Sequence, residues 1–334
     1  MALDYPLIWA FLIAIAVLAY VILDGFDLGI GALFLVHPKK EDRDIMMNSI
    51  APVWDGNETW LVLGGGGLLA VFPLAYSIIL PALYLPLIIM LLGLILRGVA
   101  FEYRPRSLNS RHWWERSFMV GSILAAFSQG VSLGTLVHGI PVSGRAYAGG
   151  PFGWLSLFSI LTGVAVVVGY SLLGSCWLIM KTSGDLQRSA KHKARILGIA
   201  TLLLIGAVSL WTPFINADYF TKWFAWPALL YSFVVPLLLL ACAAAFWIGL
   251  AGDLEWLPFV AALGVFVTSF AGLGISFFPY IVPTSVTIWE AAGPDTSLRF
   301  LLAGTVVLLP IILIYTGHAY WVFRGKTDTH GGYH

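Results

Sequence analysis

Nine apolar stretches, each about as long as a bilayer is thick, limit what this chain can fold into more than any other feature. They fall at 8–36, 52–74, 76–100, 116–138, 154–180, 195–215, 224–250, 257–278 and 299–322. A helix needs about 20 residues to cross roughly 30 Å of hydrocarbon. In that solvent each backbone N–H and C=O must be satisfied within the protein, so helices are the form such stretches take. The expected fold is an all-α integral membrane bundle of about nine transmembrane helices. Of the 334 residues only 10% are charged, against about a quarter in a soluble domain. Phe72-Pro73 separates the second and third stretches so closely that a tight hairpin is expected, and Pro81 and Pro86 predict a kink early in the third.

Lys and Arg set the orientation, because cytoplasmic loops retain them. With the N-terminus periplasmic and the C-terminus cytoplasmic, 15 of the 18 fall on the inner side, and Arg145, Lys222 and Arg299 are left outside. Trp113, Trp154, Trp256 and Trp321 stand near the proposed ends, as an interfacial belt requires. Asp4 is the only charge before Asp24 and no cleavage pattern follows, so the first stretch is expected to stay as a helix. Residues 1–325 read as one transmembrane domain and 326–334 as a short polar tail. A net charge of +1 without a basic tract argues against nucleic acid as a partner and leaves lipid. Cys176 and Cys242 lie in different stretches and imply no disulfide framework.

Charge inside hydrocarbon costs a few kilocalories per mole or more, so each instance needs a reason. Asp24 and Asp27 sit in the first stretch at i,i+3 spacing, on one helix face. Gly25 and Gly29 form a small-xxx-small pair that admits a close neighbour. Asp55 and Glu58 repeat the i,i+3 spacing in Trp54-Asp55-Gly56-Asn57-Glu58, and the third stretch closes with Arg97, Glu102 and Arg104. The first stretch descends to the inner face, the second starts there and the third returns, so all three groups are expected at similar depth. Asp24, Asp27, Asp55, Glu58 and Glu102 against Arg97 leave a net charge of −4 if all ionise. Low dielectric does not tolerate that charge, so some carboxyls hold protons or a cation arrives from elsewhere. Neutralised acids near an aqueous mouth suit a proton route. On the residues alone a second reading stays open, in which Arg97 and one aspartate only pin helices together while Glu58 and Glu102 reach headgroup water.

The histidines are His37, His112, His138, His192, His318, His330 and His334. No two fall on facing helices at mid-depth, as haem ligands would. His318, near the inner end of the last stretch, reads as a packed or interfacial residue. No metal-type cluster, P-loop or HExxH pattern occurs, and Gly64-Gly65-Gly66-Gly67 reads as close helix packing.

The motifs Asp24-Gly25-Phe26-Asp27-Leu28-Gly29, Asn48 to Leu61 around Trp54-Asp55-Gly56-Asn57, and Arg97-Gly98-Val99-Ala100-Phe101-Glu102-Tyr103-Arg104 resemble subunit II of cytochrome bd-type quinol oxidases. Phe278-Pro279-Tyr280 and Pro310 to Thr316 extend the resemblance in family order. It implies a heterodimer in the bacterial inner membrane with a subunit I that carries two b-type haems, one haem d and the quinol-oxidising site. Oxygen is reduced to water with protons drawn from the cytoplasm. Subunit II would hold no haem, would stabilise its partner and would contribute to the proton route. Some members hold a structural quinone in subunit II, which the short outer loops here put in question, and a small single-helix subunit stays open. Carried over by position, Asp55 is the leading proton-route carboxylate at the subunit boundary, accompanied by Glu58, Asp24, Asp27 and Glu102, with Arg97, Asn57 and Trp54 in support. Glu58 stands where members with a neutral amide have none of its charge. The competing class is a proton-coupled secondary transporter, against which no inverted repeat is visible.

Overall fold

The structure, a computed structural model, describes residues 3–107 and 109–327. Among the described residues nine long helices occur: α1 (Tyr5–Leu33), α3 (Trp54–Val71), α4 (Pro73–Tyr103), α5 (Arg111–His138), α6 (Leu157–Lys181), α7 (Gly184–Trp211), α10 (Val234–Ala251), α11 (Leu257–Phe277) and α13 (Asp295–Val322). Eight are long and apolar enough to cross a membrane. The exception is α3, whose 18 residues reach about 27 Å but begin with the polar run Asp55, Asn57, Glu58 and Thr59. Helix starts follow local chemistry. The Asp4 side chain accepts the Leu7 N–H at 3.1 Å with Pro6 in the first turn, and Ser156 and Ser159 cap α6 reciprocally.

Helix α1 lies at the centre, packed on α3, α5 and α6. Together α1, α3, α4 and α5 form one four-helix group, and α6, α7, α10 and α11 form a second, with the α5–α6 and α1–α6 contacts joining them. The α1–α6 junction is backbone on backbone. A Cβ added at Gly29 would lie 1.8 Å from the Tyr170 carbonyl oxygen, and one at Gly174 would lie 2.7 Å from the Gly29 carbonyl carbon. The small-xxx-small pair of the first stretch therefore admits α6. Of the four-glycine run, Gly64 and Gly67 pack on Val17 and Ile13 of α1, whereas Gly65 and Gly66 face open space.

Two features depart from the sequence expectation. The connection after α1 is not plain loop: it contains α2 (Lys40–Ile50), which buries Met46, Met47 and Ile50. The stretch expected as one span at 224–250 is preceded by two short helices, α8 (Ala217–Phe224) and α9 (Ala228–Ser232), and its long helix starts only at Val234. Pro227 lacks the N–H and the conformational freedom to carry α8 onward. Helix α4 runs on through Pro81 and Pro86, both of which lie inside it.

Two hairpins, β1 (Val142–Ser143) with β2 (Ala146–Tyr147) and β3 (Tyr280–Val282) with β4 (Val286–Thr287), occur in the connections after α5 and α11. With α12 (Ile288–Ala291) they cover Trp9, Phe72, Ile140 and Leu298 at one end of the molecule. The opposite, basic end collects the C-termini of α1, α4, α6 and α13 and the N-termini of α3, α5 and α7. Helix α13 stands apart, with Leu298 its one fully buried residue. It is fastened at its ends. Trp9 Nε1 donates to the Leu298 carbonyl at 3.0 Å, and Lys181 Nζ donates to the carbonyls of Phe323 and Gly325. Lys326 pairs with Glu255 at 2.8 Å, so the expected tail 326–334 begins docked, and residues 328–334 lie outside the described residues.

Candidate functional site

Asp24 and Asp27 occupy one face of α1 near its basic end, and both are fully buried. Arg97 on α4, likewise 0% exposed, donates from Nη1 to Asp24 Oδ1 at 2.5 Å. Its Nη2 stands 3.8 Å from Glu58 Oε2 on α3, whose side chain is 29% exposed. The guanidinium also lies 5.7 Å from the Trp54 ring, which stacks on Phe101 at 4.6 Å. Asn57 turns inward from α3, donating to Asp27 Oδ2 at 2.8 Å and accepting from the Tyr320 hydroxyl of α13 at 2.9 Å. Side chains from α1, α3, α4 and α13 thus meet in one site. One cation faces three carboxyls there, and Asp24 Oδ2, Asp27 Oδ1 and Arg97 Nε are buried without a hydrogen-bond partner among the described residues. An acid cluster this short of donors is chemically suited to holding protons.

Two of the predicted acids lie elsewhere. The Asp55 side chain is exposed on the outer face of α3, with no hydrogen bond or ion pair among the described residues, although its charge acts on Glu58. Glu102 is 61% exposed and pairs with Arg106 at 3.5 Å, outside the site. Its helical phase explains this. Five residues beyond Arg97, it lies about 140° around the helix and cannot share that face. The spacing held this information, and grouping by depth alone overlooked it.

The sequence reading also missed a second charged cluster at the basic end. Glu115 of α5 accepts from Arg43 at 2.6 Å and Arg104 at 2.9 Å, while Asp44 of α2 accepts from Arg104 at 2.7 Å and pairs with Arg111. Arg43 additionally donates to the carbonyls of Phe34 and His37, closing the end of α1. These partners lie on α2, α4 and α5, far apart in sequence, which hid them. Glu115, four residues after Arg111, was the visible signal.

Among the described residues no group of three or more His, Cys, Asp or Glu side chains converges as metal ligands would. His112, His138, His192 and His318 are exposed, and His318 stacks on Trp321. His330 and His334 lie outside the described residues. His37 is buried with Nδ1 against the Leu33 carbonyl at 3.0 Å.

Burial pushes the His37 imidazole below its usual 6.5, whereas its bond to Leu33 opposes the shift. The folded ring binds its proton less readily than the unfolded one. The stability it supports is therefore full above about pH 6.5 and falls as pH drops below that value. His37→Asn is expected to flatten that acid-side loss, read as thermal unfolding at about pH 5 against pH 7.5. An unchanged pH dependence would remove His37 from the account. At the tail contact, the hydrogen bond from Lys326 holds the Glu255 carboxyl below the usual carboxylate range.

The family model for cytochrome bd terminal oxidase subunit II matches residues 5–323. The chain is 31% identical over 343 residues to cytochrome bd ubiquinol oxidase subunit 2 of Bacillus subtilis (strain 168), covering 96% of each. It is 28% identical over 365 residues to cytochrome bd-I ubiquinol oxidase subunit 2 of Escherichia coli (strain K12), covering 96% of this chain and 94% of that one. A chain of the bd oxidase structure from Geobacillus thermodenitrificans superposes with a TM-score of 0.80 at 18% identity, over 96% of this chain and 99% of that chain, a likeness of fold.

Proposed function

The chain belongs to the cytochrome bd terminal oxidase subunit II family, and we propose that within such an oxidase it holds no haem, supports the haem-bearing subunit and carries protons to it. It is a multi-pass inner-membrane subunit of a quinol oxidase complex. Subunit I of that complex holds two haem b and one haem d, oxidises quinol and reduces oxygen to water. The basic end of the bundle faces the cytoplasm, in keeping with the distribution of Lys and Arg. A proton-coupled transporter is not favoured by these relationships.

The observation that carries the proton role is the order of acids across α3. Asp55 is exposed on its outer face, Glu58 is half-buried beside it, and the Arg97–Asp24 pair is sealed behind. Arg97 gives Glu58 a fixed positive neighbour that keeps a carboxylate available for a proton, without a bond short enough to lock it. Asp55, whose side chain has no partner among the described residues, hands that proton across the subunit boundary. Thr59, Val62, Gly66 and Leu69 continue its face along α3, and a helix of the partner fits such a surface better than acyl chains do. The seal behind Glu58 and the small-residue contacts at Gly29 and Gly174 support the stabilising half of the role. Residues 1–325 act as one domain in this reading. Quinol binds the partner, and a structural quinone or small single-helix subunit plays no part in the route.

Asp55→Asn removes the exchangeable proton and keeps the shape. In the purified complex, quinol-driven oxygen consumption is expected to fall about tenfold or more, with haem content per complex unchanged. Full turnover in the variant would take Asp55 out of the route, and loss of haem would make its role structural.

A further inference from the structure

Helix α13 is exposed along most of its length, yet one of its side chains reaches the acid site. The Tyr320 hydroxyl donates to Asn57 Oδ1 at 2.9 Å, and Asn57 Nδ2 donates to Asp27 Oδ2 at 2.8 Å and to the Leu23 carbonyl at 3.3 Å. The phenol ring meets Phe26 and Trp177 edge-on, with centroids 6.5 and 6.2 Å away. Three residues further along, the Lys181 ammonium donates to the Phe323 carbonyl at the end of α13. Ring packing and that cap together set the depth at which the hydroxyl enters the site. A second chain of tyrosines and an amide lies in the bundle, in which Tyr170 donates to Gln129 Oε1 at 2.8 Å and Gln129 Nε2 donates to the Tyr20 oxygen at 2.7 Å. That chain has no hydrogen bond to Asp24 or Asp27 among the described residues.

The order of donors fixes which way the Asn57 amide faces. A backbone carbonyl only accepts, so Leu23 takes the N–H end, and the oxygen end is left to the one neighbour that can donate, Tyr320. Turned over, the amide would set its oxygen against the Leu23 carbonyl and deprive the Tyr320 proton of its acceptor, which a buried site does not tolerate. Asp27 is therefore met at Oδ2 by an N–H. A carboxyl oxygen that bears the proton is the poorer acceptor, so this contact favours a proton on the other oxygen. That oxygen, Oδ1, is buried and has no hydrogen-bond partner among the described residues. Asp27 also makes no ion pair among them, since Arg97 bonds Asp24 and stands 3.8 Å from Glu58. Of the two buried aspartates, Asp27 is the one without a cation at bonding distance, and hence the one suited to storing a proton.

We infer that Tyr320 is a positioning residue for the proton route: through Asn57 it keeps an N–H on Asp27 Oδ2, so that the proton Asp27 stores resides on Oδ1. This rests on the proton-carrying reading of the site and gives Asp27 a task within it, behind Glu58. The exchange is a plain proton transfer, in which an O–H bond forms at Oδ1 as the donor's bond breaks and re-forms when the proton is passed on. Tyr320 itself neither gains nor loses a proton.

The test is the infrared difference spectrum between the reduced and oxidised purified complex, recorded in water and in heavy water. A protonated carboxyl shows a carbonyl band that shifts in heavy water, and Asp27→Asn should remove one such band. Tyr320→Phe keeps the ring and removes the O–H that steadies the amide. In that variant the Asp27 band should move to higher wavenumber, as a carbonyl does when it loses a hydrogen bond. Quinol-driven oxygen consumption should fall roughly three- to tenfold, the worth of one hydrogen bond. Asn57→Leu should move the band at least as far, and adding Tyr320→Phe to it should move the band no further, because both act through one contact. A purely structural role for Tyr320 would lower turnover or assembly and leave the band where it was. An unmoved band, or a spectrum from which Asp27→Asn removes nothing, overturns the inference. If Asp55→Asn slows turnover while either of those results is found, the route stands and this assignment alone falls. If Asp55→Asn runs at full rate, the route fails and Tyr320 has none to serve.

Discussion

Arg97→Ala is expected to leave almost no assembled, haem-containing complex in the membrane. Arg97 and Asp24 are both 0% exposed and bonded at 2.5 Å. Deleting the cation strands Asp24 beside Asp27 and Glu58 with no other positive charge in reach among the described residues. Breaking a buried pair from one side costs about 3–5 kcal/mol, a large part of the roughly 5–15 kcal/mol by which folded proteins are stable. The cavity left by the long side chain and the lost support for Trp54 add to it. Replacing both partners by apolar residues, Arg97→Met with Asp24→Leu, removes the stranded charge and is expected to recover much of the assembly without restoring turnover. Haem absorbance of washed membranes, normalised to the amount of this subunit, reads both results. Assembly of Arg97→Ala at parent levels would show that the pair bears little of the load.

Gly29→Val is the second substitution expected to be severe, for steric reasons rather than electrostatic ones. A Cβ at Gly29 would stand 1.8 Å from the Tyr170 carbonyl oxygen and 2.5 Å from its carbon. Both are backbone atoms of a packed helix, so no side chain can rotate to make room. Overpacking commonly costs about 1–3 kcal/mol and more where nothing yields. Here the strain falls on the α1–α6 contact, which with α5–α6 joins the two four-helix groups. Separating them also disturbs Asp24, Asp27 and Tyr170, which flank that contact. Gly206→Ala on α7 meets nothing within 4 Å and should be close to neutral. Heating the detergent-purified complex and following precipitation separates the two, and similar midpoints for both variants would contradict the packing argument.

The membrane helices were legible in the sequence because bilayer thickness sets a length that apolar runs must match. The short helices were not. Helix α2 is stabilised by burying Met46, Met47 and Ile50 under the bundle, a tertiary effect with little trace in local composition. The core of the site was legible for a similar reason. A charge in an apolar stretch stands out, so Asp24, Asp27, Glu58 and Arg97 were found and do meet. Glu102 shows where depth without helical phase misleads. Tyr20, Gln129, Tyr170 and Tyr320 were missed because uncharged polar residues are ordinary in membrane helices. Their partners stand 109, 41 and 263 residues away in the chain. Only the packing of α1 against α5, α6 and α13 shows that they converge.

The most direct test is proton uptake during a single turnover. The fully reduced complex is mixed with oxygen in weakly buffered medium containing a pH-sensitive dye, while the haem bands are followed alongside. In Asp55→Asn, oxygen binding and the first electron-transfer phases should keep parent rates, and proton uptake from the medium should slow about tenfold or more. Uptake at the parent rate in that variant would show that protons reach the oxygen-reducing centre without passing through this subunit.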